Sequence, residues 1–122
     1  MNRVLLLVAI AAILSGCVTE DRPSTCGEPA ASLELTLSAT TLTPDDPGVC
    51  RDQEVTMVVA SEVDGVLHIH GYDEAVPATS VAAGESITLS FTANRSGQFP
   101  VELHPAGGSE GVDVGVFTVY EP

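Results

Sequence analysis

The 122-residue chain contains no lysine and no tryptophan, only four arginines, and no cysteine beyond position 50. Each absence removes a class of function. With 17 acidic residues against four basic ones the formal charge is −13. Nucleic-acid binding, which rests on Lys and Arg at phosphates, is thereby excluded. The acidity accords with solubility and mutual repulsion at a surface and names no substrate. Five aromatic residues, Tyr72, Phe91, Phe99, Phe117 and Tyr120, supply no evident platform for sugar stacking. Only one long apolar run exists, and after it no window of ten or more residues keeps a helical period free of Gly or Pro.

That run is Val4–Leu14, within the opening "MNRVLLLVAIAAILSGC". Its roughly 11 residues reach only about half of a ~30 Å hydrocarbon core, so it reads as an export signal and not a membrane span. The sequence Leu14-Ser15-Gly16-Cys17 resembles the lipobox of bacterial lipoproteins. That resemblance implies removal of residues 1–16 as a signal peptide and a diacylglyceryl group on Cys17, with acyl chains of the palmitate kind. It implies a domain anchored by lipid to the cell membrane at its extracytoplasmic face, since two or more chains hold where one is marginal. Removing 16 of 122 residues leaves 106, enough for one small domain, with three arginines against 17 acids.

With Cys17 assigned to lipid, Cys26 and Cys50 remain, an even pair in a compartment where disulfides persist. They are expected to bond to each other and to pin the segment before the domain to the turn preceding "EVTMVVA". Two free thiolates on a metal are the alternative, but neither cysteine lies in a C-x-x-C pair or beside a histidine.

Residues 17–32 are polar, contain two prolines and a glycine, and show no period, so they read as a lipidated cysteine and flexible tether. From Leu33 to the end, residues 33–122 alternate with period two: Leu33, Leu35 and Leu37; Ile87, Leu89 and Phe91; Phe99, Val101 and Leu103. Half-buried strands follow, separated by turn clusters at 43–48, 82–86, 94–97 and 105–111. The expected fold class is all-β, about six or seven strands in a Greek-key β-sandwich or small barrel.

Only three histidines exist, and two fall one residue apart in "GVLHIHGYD". On a strand, Val66, His68 and His70 share one face and Leu67 and Ile69 the other. Both imidazoles then reach one ion, or else they form the wet side of an alternating strand. The formal G-x-S-x-G match at Gly107–Gly111 sits in a Gly-rich loop and lacks the strand-to-helix turn that a hydrolase nucleophile needs. No catalytic residue is assigned, and the chain is not read as an enzyme.

From about Leu33 to Glu121 the sequence resembles the cupredoxin-like domains, the Greek-key sandwiches of plastocyanins and of the copper domain of oxidase subunit II. The resemblance is carried by the histidine strand "VLHIHGYD", by "VAAGESITLSFTANRSGQFPVELH" with Gly97 and Phe99, and by the closing "GVFTVYEP". In that family a type 1 copper centre needs a thiolate, yet Leu103 stands at the cysteine position. Val112, Asp113 and Val114 occupy the region of the axial methionine. The resemblance thus implies the sandwich without blue-copper electron transfer. It also implies that His104, in the ligand loop, lies near His68 and His70, with Asp73, Glu74 or Glu102 completing the set. Three neutral imidazoles suit copper, as Cu(II), or zinc, as Zn(II), with affinity falling as pH drops through the histidine range near about 6.5. Two readings are open: a lipid-anchored metal-binding protein, or a metal-free interaction module for an unknown protein partner at the cell surface.

Overall fold

Alternation of apolar and polar side chains becomes strand structure wherever one face can be buried, and the longer of the nine strands among the described residues form this way. A computed structural model describes residues 22–108 and 110–122. The expected signal peptide, Cys17 and the first residues of the expected tether lie outside the described residues, as does Ser109 of the Gly-rich loop. The strands are β1 (Ala30–Leu37), β2 (Leu42–Thr43), β3 (Gly48–Cys50), β4 (Glu54–Ser61), β5 (Gly65–Ile69), β6 (Thr79–Val81), β7 (Ser86–Thr92), β8 (Gly97–Pro105) and β9 (Val112–Tyr120). Nine exceeds the six or seven expected because β2, β3 and β6 are only two or three residues long, too short for alternation to show.

The strands make two sheets, ordered β2-β1-β4-β7 and β3-β9-β8-β5-β6. β1 runs parallel to β4 and β3 parallel to β9, while the other pairings are antiparallel. Between the sheets lie the inward residues of each strand: Leu35 and Leu37, Val55, Met57 and Val59, Leu67 and Ile69, Phe99, Val101 and Leu103, Phe117 and Val119. At one end of this core the rings of Tyr72, Phe91, Phe99 and Phe117 pack edge to face, with Tyr72 and Phe99 centroids 4.6 Å apart. Such geometry aligns ring edges with ring faces and adds to simple area burial.

The tether expected to run to Ser32 ends sooner. Residues Ser24–Gly27 form a short 3-10 turn and β1 begins at Ala30. Two devices hold this segment to the domain. Cys26 and Cys50 are bonded, as the cysteine count implies, with Cα atoms 5.3 Å apart. Buried Gln53 accepts from the Cys50 N–H at 2.8 Å, and its amide donates to the carbonyls of Thr25 (2.8 Å) and Glu28 (3.0 Å). Polarity without period hid this contact, because the partners are backbone carbonyls that any sequence possesses.

Reducing the disulfide is expected to lower stability by about 3 to 4 kcal/mol, the chain-entropy value for a closed loop of this size. Urea unfolding with and without reductant measures it. An unchanged midpoint would mean that the Gln53 hydrogen bonds alone hold the segment. At the far end of the chain Glu121 accepts from the Ser96 hydroxyl (2.5 Å) and from Arg51 Nη2 (3.0 Å). These partners, the hydroxyl first, hold its carboxyl below the usual carboxylate range.

Candidate metal centre

The site is built by the pairing of β5 with β8. Their antiparallel register sets Val66 opposite His104, Leu67 opposite Leu103, His68 opposite Glu102 and Ile69 opposite Val101. Leu67, Ile69, Val101 and Leu103 are buried between the sheets. By alternation His68, Glu102 and His104 therefore stand on the outer face of the five-stranded sheet, where each is half-buried. Directly opposed residues carry Cβ atoms about 5 Å apart, so His68 and Glu102 are neighbours although 34 positions separate them. On its other flank Glu102 meets a β-bulge in the pairing with β9, where Asp113 lies opposite it. Bulges of this kind re-aim side chains.

His70 lies one residue beyond the end of β5 and stays in step because its N–H donates to the Pro100 carbonyl at 2.8 Å. Its ring meets that of His68 edge to face, with centroids 5.6 Å apart, and the His68 and His104 centroids are 6.4 Å apart. One ligand atom from each of His68, His70 and Glu102 falls within 4.8 Å of the others. His104 turns toward the carboxylate instead: its Nε2 is 2.8 Å from Glu102 Oε1. The Nε2 of His68 meets Asp73 Oδ1. A carboxylate on one ring nitrogen sets the tautomer and orientation of the other, the arrangement that holds ligating imidazoles in place.

The turn that carries His70 and Asp73 is fixed from beneath. Tyr72, 3% exposed, drives its ring into the aromatic cluster. Its hydroxyl lies within hydrogen-bond reach of both the Arg95 N–H (3.2 Å) and the Arg95 carbonyl (3.3 Å). The Arg95 guanidinium lies over Phe99 and Tyr72, 5.2 and 5.6 Å from their centroids, a favourable cation–ring contact. Burying one tyrosine thus positions two polar residues on either side of it in the sequence.

The structure brings His68, His70 and His104 to one face, as the histidine positions suggest, but the ligand loop implied for His104 is absent. His104 lies within strand β8. Of the three acids considered, Glu102 converges with the imidazoles and Asp73 contacts His68, whereas Glu74 is not in the converging group and, with Asp73, lines a cleft beside Asn94 and Arg95. Glu102 was one candidate among three because its place opposite His68 depends on register between distant strands. The usable signal was its i, i+2 relation to His104.

The donor set decides which metal chemistry fits. A thiolate centre does not: among the described residues both cysteines, Cys26 and Cys50, are bonded to each other, and Leu103 is fully buried with its side chain on the opposite face from His104. Met57 is 2% exposed, in β4 of the other sheet. Two imidazoles and a carboxylate do fit a borderline divalent ion such as Cu(II) or Zn(II), whose bonds to nitrogen and oxygen are about 2.0–2.2 Å long.

No protein-family model and no curated protein matches the sequence. Solved structures do match in fold. A blue copper oxidase from Nitrosomonas europaea is 14% identical with a TM-score of 0.56, over 74% of this chain and 38% of that one. The metal-binding domain of the Cu(I)-exporting P-type ATPase CopA of Streptococcus pneumoniae D39, in a structure with Cu(I), is 12% identical with a TM-score of 0.55, over 77% of this chain and 89% of that domain. A laccase from Botrytis aclada is 17% identical with a TM-score of 0.54, and the chain covers 23% of its length. The chain thus spans well under half of the two oxidases. At such identities the likeness establishes architecture alone: this is an all-β, cupredoxin-like domain.

Proposed function

We propose that this protein is a lipid-anchored, extracytoplasmic cupredoxin-like domain that binds Cu(II) or Zn(II) on its outer sheet face, for storage or handover, and does not act as a blue-copper electron carrier. One observation carries the reading: the neighbouring His68 and His70 and the distant Glu102 present ligand atoms within 4.8 Å of one another. His104 and Asp73 serve as outer partners, to Glu102 and His68 respectively. Such partners fix the orientation of ligands and raise their basicity. The fold adds weight, since structures of similar architecture include a copper oxidase and a copper-binding domain. The half-exposed position of the site suits exchange of the ion with a partner more than retention of a buried cofactor.

Calorimetric titration of the purified protein with Cu(II) and with Zn(II) tests the reading. One ion per chain is expected, held more tightly than about 10 μM, without the intense blue of a thiolate-ligated copper. Weaker or superstoichiometric binding would favour the other reading, a metal-free interaction module. One feature supports that alternative: His68 and His104 each meet a carboxylate of this chain, as side chains on a polar strand face do.

Anchoring through Cys17 is tested separately. Cys17→Ser is expected to move the protein from the membrane fraction to the soluble fraction, because the acyl chains supply the membrane affinity. Retention of the Ser variant on membranes would refute the lipid assignment.

A further inference from the structure

Gly111 sits in the loop between β8 and β9, just before β9 begins. A β-carbon placed on it falls 1.8 Å from Glu102 Oε1, 2.4 Å from Cδ and 2.6 Å from Cγ. The Glu102 side chain therefore fills the volume that any side chain at 111 would need. The backbone does not itself demand glycine here. Gly107, in the same loop, has φ of +76°, in the left-handed region, whereas Gly111 lies outside that region. Space for the carboxylate is the reason for glycine that the geometry supplies.

The same oxygen, Glu102 Oε1, lies 2.8 Å from His104 Nε2. Asp113, opposite Glu102 on β9, adds a like charge at the flank, and like charges directly opposed repel. Without a seat, the Glu102 side chain has every reason to swing into solvent. The geometry points to Gly111 as a positioning residue of the metal centre: its missing side chain lets the Glu102 carboxylate lie against His104 and converge with His68 and His70. This rests on the metal-binding reading above and adds to it a residue that ligates nothing.

The test couples Gly111→Ala with Glu102→Ala in the purified protein. The Glu102 carboxylate, 2.8 Å from His104 Nε2, favours a proton on that nitrogen, so two-bond ¹H–¹⁵N spectra of the ring should show one dominant tautomer. Gly111→Ala should convert it to the mixture that Glu102→Ala gives. With Cu(II) as the probe, Gly111→Ala should weaken binding by about tenfold or more, the scale of outer-partner losses, with no further loss when added to Glu102→Ala. Any drop in melting temperature caused by Gly111→Ala should vanish in the Glu102→Ala background, where the colliding atoms are gone. A single variant that failed to fold would therefore still be decided by its rescue. An unchanged tautomer with affinity within twofold of wild type, or losses that multiply in the double variant, would overturn the assignment. If the wild type bound no Cu(II), the binding reading would fall, while the tautomer and melting couplings would still decide the role of Gly111.

Discussion

His70→Ala is expected to weaken Cu(II) binding by more than about 100-fold, beyond the ~10–100-fold range typical of residues that only orient a ligand. His70 is one of three groups whose ligand atoms converge. Losing one donor of three leaves an imidazole and a carboxylate, a set with little to distinguish it from any exposed acidic patch. His104→Ala should fall within the 10–100-fold range, because its imidazole meets Glu102 and acts through it. The contrast between the two variants separates ligand from support, where a three-imidazole centre would treat them alike. Melting should barely change in His70→Ala, since the residue is exposed and lies beyond the end of β5. Competition against a chelator of known affinity gives the ratio. Equal binding by His70→Ala and wild type would remove the site as described.

Phe117→Ala is expected to cost about 3–5 kcal/mol, as for other large aromatic truncations in cores. Phe117 is fully buried in β9 and its ring packs against Tyr72 (5.7 Å between centroids) and Phe91 (5.9 Å). Small domains have only about 5–15 kcal/mol in total, so such a loss leaves a substantial unfolded fraction on mild heating. The effect should reach the metal centre as well. Tyr72 leans on Phe117, and the turn around Tyr72 carries His70 and Asp73. Val116 on the same strand is 36% exposed and provides the control: Val116→Ala should stay within about 0.5 kcal/mol of wild type. Denaturant unfolding of the three proteins measures both. A Phe117→Ala midpoint close to that of Val116→Ala would show the cluster to be less tightly packed than its geometry indicates.

Strand identity and facing were legible in the chain because period two leaves a direct mark. Leu35, Leu37, Phe91, Phe99, Val101 and Leu103 point inward as alternation requires. The bond between Cys26 and Cys50 was legible by counting. So was the mismatch with a type 1 copper centre, since Leu103 stands where the resemblance puts the cysteine and no cysteine follows position 50. His68 and His70 could be assigned to one face from their spacing alone. These are local or compositional properties, and no folding is needed to know them.

Pairing is another matter. Whether His68 meets Glu102, Glu74 or nothing depends on which residue of β8 lies opposite it, and a one-residue slip would turn every β8 side chain to the other face. That register is set by the collective burial of Leu67, Ile69, Val101 and Leu103 against the second sheet. It is a long-range free-energy balance with no signature inside either strand. The seat that Gly111 leaves for Glu102, and the hydrogen bonds from Gln53 that gather residues 25 and 28 onto the domain, have the same origin. Side-chain alternation is written residue by residue and so belongs to the sequence; the convergence of two imidazoles and a carboxylate exists only once two strands have chosen their register, and so belongs to the tertiary fold.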